Sequence, residues 1–189
     1  MIIIGIVGYA GSGKDTAYQL IRQNIEHGAE RLAFADKLKD IADNMLEIAD
    51  FDRVARDNDR KTKEEIRPLL VWLGEYARKK DCDYWIKKLL PDLEYLNKAK
   101  CPMVVFTDVR YPNEAEFILG NGGSLILVSS PAEPANDKEL HSIGKILRVY
   151  DESPDFYSVY NRKESKKEFL EKLTPIVQQI IKNNSTETG

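Results

Sequence analysis

The sequence predicts an α/β fold of three layers, in which a parallel sheet of about five strands lies between helices. The first observation is a series of short, continuous apolar runs, which are typical of strands buried on both faces of a parallel sheet. The second is that the segments between these runs carry apolar residues at helical spacing. Such alternation indicates helices on both faces of the sheet, and 189 residues are enough for one domain, residues 1–189.

The first third of the chain alternates strand and helix twice and then loses its periodicity. It is predicted to contain, in order, a strand over Ile2–Val7, a helix ending at Gly28, a strand over Arg31–Phe34 and a helix over Lys37–Ala49. Residues 50–65 are dense in charge and predict a solvated connection.

The rest of the chain supplies three more strands and four more helices. The strands are Met103–Thr107, Ser124–Val128 and Phe156–Tyr160; the helices begin at Pro68 and at Tyr84, and cover 112–119 and about 164–182. The helix from Tyr84 to about Asn97 contains Pro91, which predicts a kink or a break.

The composition excludes several classes of protein. With 42% hydrophobic and 31% charged residues, it is typical of a soluble globular protein. A net charge of -3 gives no basic excess for nucleic acid or an anionic membrane. No apolar run approaches the roughly 20 residues of a membrane span, and the N-terminus lacks a signal peptide's basic flank. We therefore expect a cytoplasmic protein with neither nucleic-acid nor membrane partners.

A glycine-rich segment joins the first strand to the first helix. Gly8, Gly13 and Lys14 match the pattern G-x-x-x-x-G-K, which binds phosphate when it lies between a strand and a helix N-terminus. Glycines let successive N–H groups point inward, and the helix dipole adds positive potential. We expect Lys14 to neutralise the β- and γ-phosphates; the alternative is a glycine-rich turn that matches by coincidence.

Two aspartates are candidates for magnesium. Asp15 stands where this pattern usually has Ser or Thr, and a carboxylate is also a hard oxygen ligand. Asp108 follows a buried strand, and ligands bind at the carboxyl ends of such strands. Asp15 could instead be a charge at a helix N-terminus, and Asp108 could simply open a turn. Arg110 favours the functional role, because a guanidinium can stabilise transferring charge.

Five segments, in order, resemble one family. They are GSGKDT at 11–16, FADKLK at 34–39, RPLLVWLGEYAR at 67–78, DYWIKKL at 83–89 and TDVRYPNEAE at 107–116. Together they resemble the deoxynucleoside monophosphate kinases of tailed bacteriophages. The resemblance implies a P-loop kinase fold and ATP-dependent, magnesium-assisted phosphorylation of a deoxynucleoside monophosphate (dNMP) to its diphosphate, in the host cytoplasm if the protein is phage-encoded. Whether the protein forms a homodimer is left open.

The resemblance implies the ATP-binding residues and, at the acceptor, Arg67, Arg78, Trp85 and Arg110; the other roles are hypotheses from residue type and position. The catalytic residues would be Lys14, Asp108 and Arg110, and the metal ligands Asp15 and Asp108. ATP would be held by Gly8, Gly11, Ser12, Gly13, Lys14, Asp15 and Thr16, with Thr16 at the α-phosphate. The acceptor would be bound by Asp36, Arg67, Arg78, Trp85 and Arg110, within a helical segment of about 36–98. The loop of about 129–150 would act as a lid.

Each acceptor residue has a structural alternative. Arg67 and Arg78 are eleven positions apart, so they would share a helix face at about 16 Å from each other. One would bind the acceptor phosphate, and the other would lie nearer the transferred group or pair with Asp36 or Glu75; both could also be solvated. Asp36 could instead cap a helix. Trp85 could stack on a base or, at its helical spacing, belong to the core.

Two further functions stay open on the sequence alone. The chain could be another small-molecule P-loop kinase, resembling dephospho-coenzyme A or phosphomevalonate kinases, whose phosphate loops are similar. It could also be a nucleotide-binding switch or regulatory ATPase without a second substrate. Some positions depart from the phage pattern, among them Asn161-Arg162-Lys163, where relatives usually have Asn-Asp-Gly. We expect these departures in the lid and the adenine-contacting region.

Overall fold

The computed structural model describes residues 1–24, 28–52, 54–57, 59–131, 134, 136–163 and 165–186. The predicted start of the last helix at residue 164 lies outside these ranges. The described residues form, in order, β1 (Ile2–Val7), α1 (Lys14–Asn24), β2 (Glu30–Leu32), α2 (Phe34–Ile48), α3 (Arg60–Lys80), α4 (Tyr84–Lys98), β3 (Met103–Val109), α5 (Pro112–Gly120), β4 (Ser124–Ser129), α6 (Asp137–Tyr150), β5 (Phe156–Tyr160) and α7 (Lys166–Thr186).

The five strands form one parallel sheet, which confirms the predicted α/β class. Its order is β2-β3-β1-β4-β5, with every neighbouring pair parallel. From β1, the chain fills one side of the sheet first and crosses to the other side with β4. This reversal next to β1 creates a crevice at the carboxyl ends of β1, β3 and β4, which is where α/β sheets bind ligands.

The pairing of β1 with β3 contains an irregularity at a candidate site residue. Gly5 pairs with Phe106, whereas Val7 pairs with Val109, so β3 has one more residue than β1 over this interval. The extra residue lies within Thr107 and Asp108. Such a bulge bends the strand locally and changes the direction of a side chain. It therefore affects the direction of the Asp108 side chain within β3.

Helices cover both faces of the sheet. On one face, α1 and α7 share a core with the strands, built from Ile4, Ile6, Ala17, Ile21, Val105, Ile126, Phe169, Leu173 and Val177, among others. On the opposite face lies α5, where the Phe117 ring meets the edge of Phe106 with 6.1 Å between centroids. A Cβ on Gly5 would lie 2.8 Å from Leu125 and 3.2 Å from Ile118, so the packing here leaves no room for a side chain.

Residues divide into two compact units. The sheet unit is Met1–Leu32 with Glu94–Gly189, and the helical unit is Ala33–Leu93. The helical unit has its own apolar cluster from α2, α3 and their connection: Ala42, Ala55 and Ile66, with Leu46, Val54, Leu69, Leu70 and Leu73 against them. The Asp43 carboxylate is buried there and accepts a hydrogen bond from the Ala55 amide at 2.8 Å. Of the helices within the described ranges, none is both long and apolar enough to cross a membrane.

The helical unit differs from the sequence prediction at its helix ends. The second helix begins at Phe34, where a strand was expected, and α3 begins at Arg60, inside the predicted connection. The start of α3 is fixed by Asp59, whose carboxylate accepts from the Thr62 amide at 3.0 Å. The predicted break at Pro91 does not occur: α4 continues through it from Tyr84 to Lys98, with Leu89 and Leu93 buried on either side of the proline.

The predicted loop over 129–150 is also wrong over most of its length. Residues Asp137–Tyr150 form α6. Asn136 caps this helix by accepting a hydrogen bond from the Glu139 amide at 2.9 Å, and Ile143 and Ile146 are fully buried. The sequence did contain these signals, an N-cap followed by apolar residues three apart. The lid role of this segment stays a prediction.

Candidate active site

The glycine segment forms a closed loop at the carboxyl end of β1. Gly8 and Gly13 have backbone φ angles of 156° and 105°, outside the range of ordinary residues. A Cβ on Gly8 would lie 2.5 Å from the Val128 carbonyl oxygen, and a Cβ on Gly13 would overlap Asn161 Nδ2. Both glycines are therefore required by conformation and by space.

Lys14 begins α1 and folds back over the loop. Its side chain is largely buried, with the residue only 8% exposed. Nζ donates hydrogen bonds to the carbonyl oxygens of Gly8 and Tyr9, each at 2.7 Å. The ammonium group is thus held at the mouth of the loop, where a phosphate chain would need a cation.

The charged candidates of the sequence analysis meet at this ammonium group. Burial first, and then the guanidinium of Arg110, lower the pKa of Lys14 to about 8. The carboxylates of Glu139, Asp15 and Asp108 act in the opposite direction. Asp15 and Asp108 therefore both lie close enough to act on Lys14, Asp15 exposed in the first turn of α1 and Asp108 half-buried in β3.

Replacing Lys14 by methionine should make the protein more stable at neutral pH. The pKa of Lys14 is about 8 in the folded state against an ordinary 10.5, so the unfolded chain binds more protons between these values. Wild-type stability therefore rises with pH from about 8 to about 10.5, and the burial penalty is fully present at pH 7. After loss of two hydrogen bonds, we expect Lys14→Met to gain about 1–3 kcal/mol at pH 7.

The measurement is chemical denaturation of both proteins from pH 7 to 10.5. The stability difference should shrink as the pH approaches 10.5. A stability difference that stays constant across this range would mean that burial does not lower the pKa of Lys14.

The Glu114 carboxylate fixes the backbone at Arg110. Glu114, in the first turn of α5, is buried, and its Oε2 accepts from the backbone amides of Arg110 at 2.8 Å and Tyr111 at 3.1 Å. This fixes the turn after β3, while the Arg110 side chain stays 45% exposed and lies 3.4 Å from Glu139. The sequence analysis missed Glu114, because the residue three positions before it is Tyr111 and not the Ser or Thr that marks a capping box in a sequence.

The residue after β5 ties the last strand to the loop. Asn161 is buried, its backbone amide donates to the Ser129 carbonyl at 2.8 Å, and its Nδ2 donates to the Ser12 carbonyl at 3.0 Å. The sequence analysis noted Asn161 only as part of a departure expected in the lid and adenine region. The structure instead brings it against the phosphate loop, since β5 runs parallel to β4 and ends at the same sheet edge.

One loop hydroxyl is buried without a hydrogen-bond partner in the described chain. Ser12 is 1% exposed, and its Oγ bonds to no described protein atom. A Cβ on Gly8 would lie 2.6 Å from this Oγ, so the hydroxyl points across the loop. Native proteins rarely leave such a group unpaired. A buried hydroxyl of this kind in a glycine-rich loop suits a ligand with phosphate oxygens.

Two predicted acceptor residues lie on α3 in the helical unit. Arg67 is exposed and Arg78 half-buried, and the unbroken helix confirms that they share one face. Arg78 Nη1 donates to the Gly74 carbonyl at 3.3 Å. Trp85 is buried, and its Nε1 donates to that same carbonyl at 3.2 Å while its ring meets the edge of Tyr84. These contacts favour the core role of Trp85 over base stacking.

Asp36 lies in the first turn of α2, whose N-cap is Ala33, so it does not cap the helix as the sequence alternative had it. It faces an arginine that the sequence analysis missed. Arg56 Nη1 lies 3.6 Å from Asp36 Oδ1, and Arg56 also donates to Asp40 Oδ1 at 2.6 Å and 3.0 Å. A charged residue within a dense run of charges gives no signal of its own in the sequence.

Comparison with known proteins narrows the family to which this chain can belong. A model of the phosphomevalonate kinase family matches residues 6–121, more than half of the chain. A protein of Acanthamoeba polyphaga mimivirus with the provisional name deoxynucleotide monophosphate kinase is 28% identical over 159 residues, which are 72% of this chain and 78% of that protein. The bacteriophage part of the resemblance stays a prediction.

Two solved structures share the fold. Dephospho-CoA kinase from Campylobacter jejuni has a TM-score of 0.54 at 14% identity, over 94% of this chain and 96% of its own. A sugar kinase from Janibacter sp. HTCC2649 has a TM-score of 0.52 at 12% identity, over 94% and 95%. The strand-loop-helix geometry around Lys14 and the match over 6–121 lead to the same conclusion: the chain is a kinase of the P-loop type and belongs to the phosphomevalonate kinase family.

Proposed function

We propose that this kinase transfers the terminal phosphoryl group of ATP to a deoxynucleoside 5′-monophosphate. The observation that carries the proposal is the gathering of Lys14, Arg110, Asp15 and Asp108 around one phosphate loop. Two cations there can neutralise a phosphate chain, and two carboxylates can hold its counter-ion. This is the set of charges that phosphoryl transfer between two anions requires.

The glycine loop would bind the phosphate donor, ATP. Backbone amides from Gly8 to Thr16 would hold the phosphates of ATP, with the Ser12 hydroxyl adding a donor inside the loop. Lys14 would lie at the β- and γ-phosphates, since its ammonium group is already fixed by two loop carbonyls. Thr16 would contact the α-phosphate.

Magnesium would be held by Asp15 and Asp108. Both offer hard carboxylate oxygens, which magnesium prefers, and both act electrostatically on the same ammonium group. When bound, the ion would supply positive charge that offsets the negative charge of the phosphates. The bulge at Thr107 and Asp108 is compatible with this role, because bulges change the direction of side chains and are common next to active sites.

The transfer needs no nucleophile from the protein. An oxygen of the acceptor phosphate attacks the γ-phosphorus in line as the bond to the β-phosphate bridging oxygen breaks. Arg110 and Lys14 would stabilise the charge that spreads over the transferred group. Glu114 holds the backbone of Arg110 through two amides, so the guanidinium starts from a fixed point.

The acceptor would be bound by Asp36, Arg67 and Arg78, with Arg110 at its phosphate. Arg67 is the best candidate of the helical unit for a phosphate, because it is exposed and lies on the Arg78 face of α3. The mimivirus relative supports a deoxynucleotide as acceptor, as do the five segments that resemble the phage enzymes. The family match favours one second candidate, phosphomevalonate, which like a deoxynucleotide already carries a phosphate.

A coupled assay of ADP formation tests the proposal. With ATP and Mg²⁺ present, dTMP, dGMP, dCMP, dAMP, hydroxymethyl-dCMP, the ribonucleotides, phosphomevalonate and dephospho-CoA are offered one at a time. We expect strong stimulation by one or more deoxynucleotides. Arg67→Ala should raise the KM for that acceptor about tenfold or more, while Lys63→Ala, another exposed cation of α3, should not.

Other results of this assay would support the alternative functions. Stimulation by phosphomevalonate alone would replace the deoxynucleotide with that acceptor. ATP hydrolysis at the same rate with and without every acceptor would contradict a kinase of small phosphate esters and favour a nucleotide switch.

A further inference from the structure

A buried carboxylate that the sequence analysis did not select lies against the phosphate loop. Glu139 belongs to the first turn of α6, and its side chain is only 5% exposed. Its Oε1 accepts a hydrogen bond from the Ala10 amide at 2.9 Å and lies 3.4 Å from Arg110 Nη1. The same carboxylate raises the pKa of Lys14 against the effect of burial.

The position of Glu139 follows from the way α6 packs. Ile143 and Ile146 lie four and seven residues further along the helix and are buried in the sheet unit, so Glu139 is on the inward face. Asn136 fixes the start of the helix through the Glu139 amide. The helix therefore directs one buried negative charge to the loop, whereas its neighbour Asp137 stays exposed.

We propose that the Glu139 carboxylate is an internal anion that competes with the phosphate chain of the nucleotide for the Ala10 amide, Arg110 and Lys14. Binding of the phosphate chain then releases the first turn of α6 from the loop. The proposal rests on the proposed use of ATP at this loop and is independent of the acceptor.

The Glu139 carboxylate and a phosphate chain would compete because they need the same hydrogen-bond donor and because both are negatively charged. The Ala10 amide has one hydrogen, so it cannot serve a carboxylate and a phosphate oxygen at full strength together. A carboxylate beside a polyanion is repelled, and the repulsion is strong where water is largely excluded. Arg110 and Lys14 are the two cations nearest the carboxylate among the contacts above, and phosphoryl transfer needs both of them on the phosphates.

The coupling must be reciprocal. If docking of Glu139 weakens binding of the phosphate chain, binding of that chain weakens docking of α6 by the same factor. Removing the charge at position 139 should therefore strengthen anion binding. If the carboxylate only shaped the loop, removing its charge would weaken anion binding.

Calorimetric titration with inorganic pyrophosphate and with MgATP tests this. Glu139→Gln keeps an oxygen that can accept from the Ala10 amide but loses the charge. We expect it to bind pyrophosphate about tenfold more tightly than the wild type does. Asp137→Asn is the matched control, because it removes the same charge from the same helical turn without touching the loop, and its affinity should stay at the wild-type value.

Hydrogen exchange of the wild-type protein gives a second readout that needs no variant. Saturating pyrophosphate should increase amide exchange at the start of α6, around residues 137–141. In Glu139→Gln, exchange there should already be raised before pyrophosphate is added.

Three results would overturn the proposal. One is unchanged or weaker pyrophosphate binding by Glu139→Gln, which would assign Glu139 to shaping the loop. Another is unchanged or slower exchange of α6 in the wild type with pyrophosphate bound. The third is that neither pyrophosphate nor MgATP binds. Pyrophosphate binding involves no acceptor, so a failure of the deoxynucleotide proposal in the transfer assay leaves these results interpretable.

Discussion

Replacing Lys14 by alanine is expected to reduce phosphoryl transfer about a thousandfold or more and to leave the fold intact. A thousandfold loss corresponds to about 4 kcal/mol of transition-state stabilisation. The reason is positional, since the ammonium group is held over the loop by the carbonyls of Gly8 and Tyr9. Single-turnover transfer from ATP to the acceptor identified in the coupled assay measures the effect, with circular dichroism as the test of folding.

Two further variants separate charge from position. Lys14→Arg keeps the positive charge but places a wider, planar group where two carbonyls accept from one ammonium, so we expect it to be nearly as inactive. Lys98→Ala removes a lysine of the sheet unit whose side chain is 81% exposed, and it should have wild-type activity. Wild-type turnover by a folded Lys14→Ala protein would remove Lys14 from the mechanism.

Replacing Gly13 by alanine is expected to weaken ATP binding about a hundredfold or more. The new Cβ would overlap Asn161 Nδ2, and a φ of 105° strains any residue with a side chain by about 1–3 kcal/mol. To relieve the overlap, Asn161 must give up its hydrogen bond to the Ser12 carbonyl, which would free the loop from β5. Calorimetric titration with MgATP measures the loss.

Gly11→Ala is the matched control for this substitution. Gly11 also has a positive φ, 73°, but a Cβ there has no atom within 4 Å. We therefore expect a loss of about tenfold or less, from backbone strain alone. In the Gly13→Ala background, Asn161→Gly should recover part of the affinity, a coupling that a double-mutant cycle detects. Equal losses for both alanine variants would show that the Asn161 contact is unimportant.

The strand pattern predicted the parallel sheet, and the motif predicted the glycine loop between β1 and α1. Buried strands of β-branched residues and a glycine loop followed by Lys14 are local features, and local features can be read from neighbouring positions in the chain. The sheet and its parallel pairing are as the sequence predicted. Asp15, Asp108 and Arg110 all act on the charge of Lys14, and their functional roles stay predictions. The helix over 137–150 was missed, although its cap and apolar spacing were present.

The residues that shape the loop could be found only in three dimensions. Glu139 and Asn161 lie 129 and 149 positions from the loop residues that they contact, Ala10 and Ser12. A single glutamate on a helix or asparagine after a strand carries no sign of its partner. The α/β class and the glycine loop can be predicted from the chain's local patterns, because both depend on neighbouring residues. Which buried carboxylate and which amide meet that loop depends on the fold, because parallel strands bring distant parts of the chain to one sheet edge.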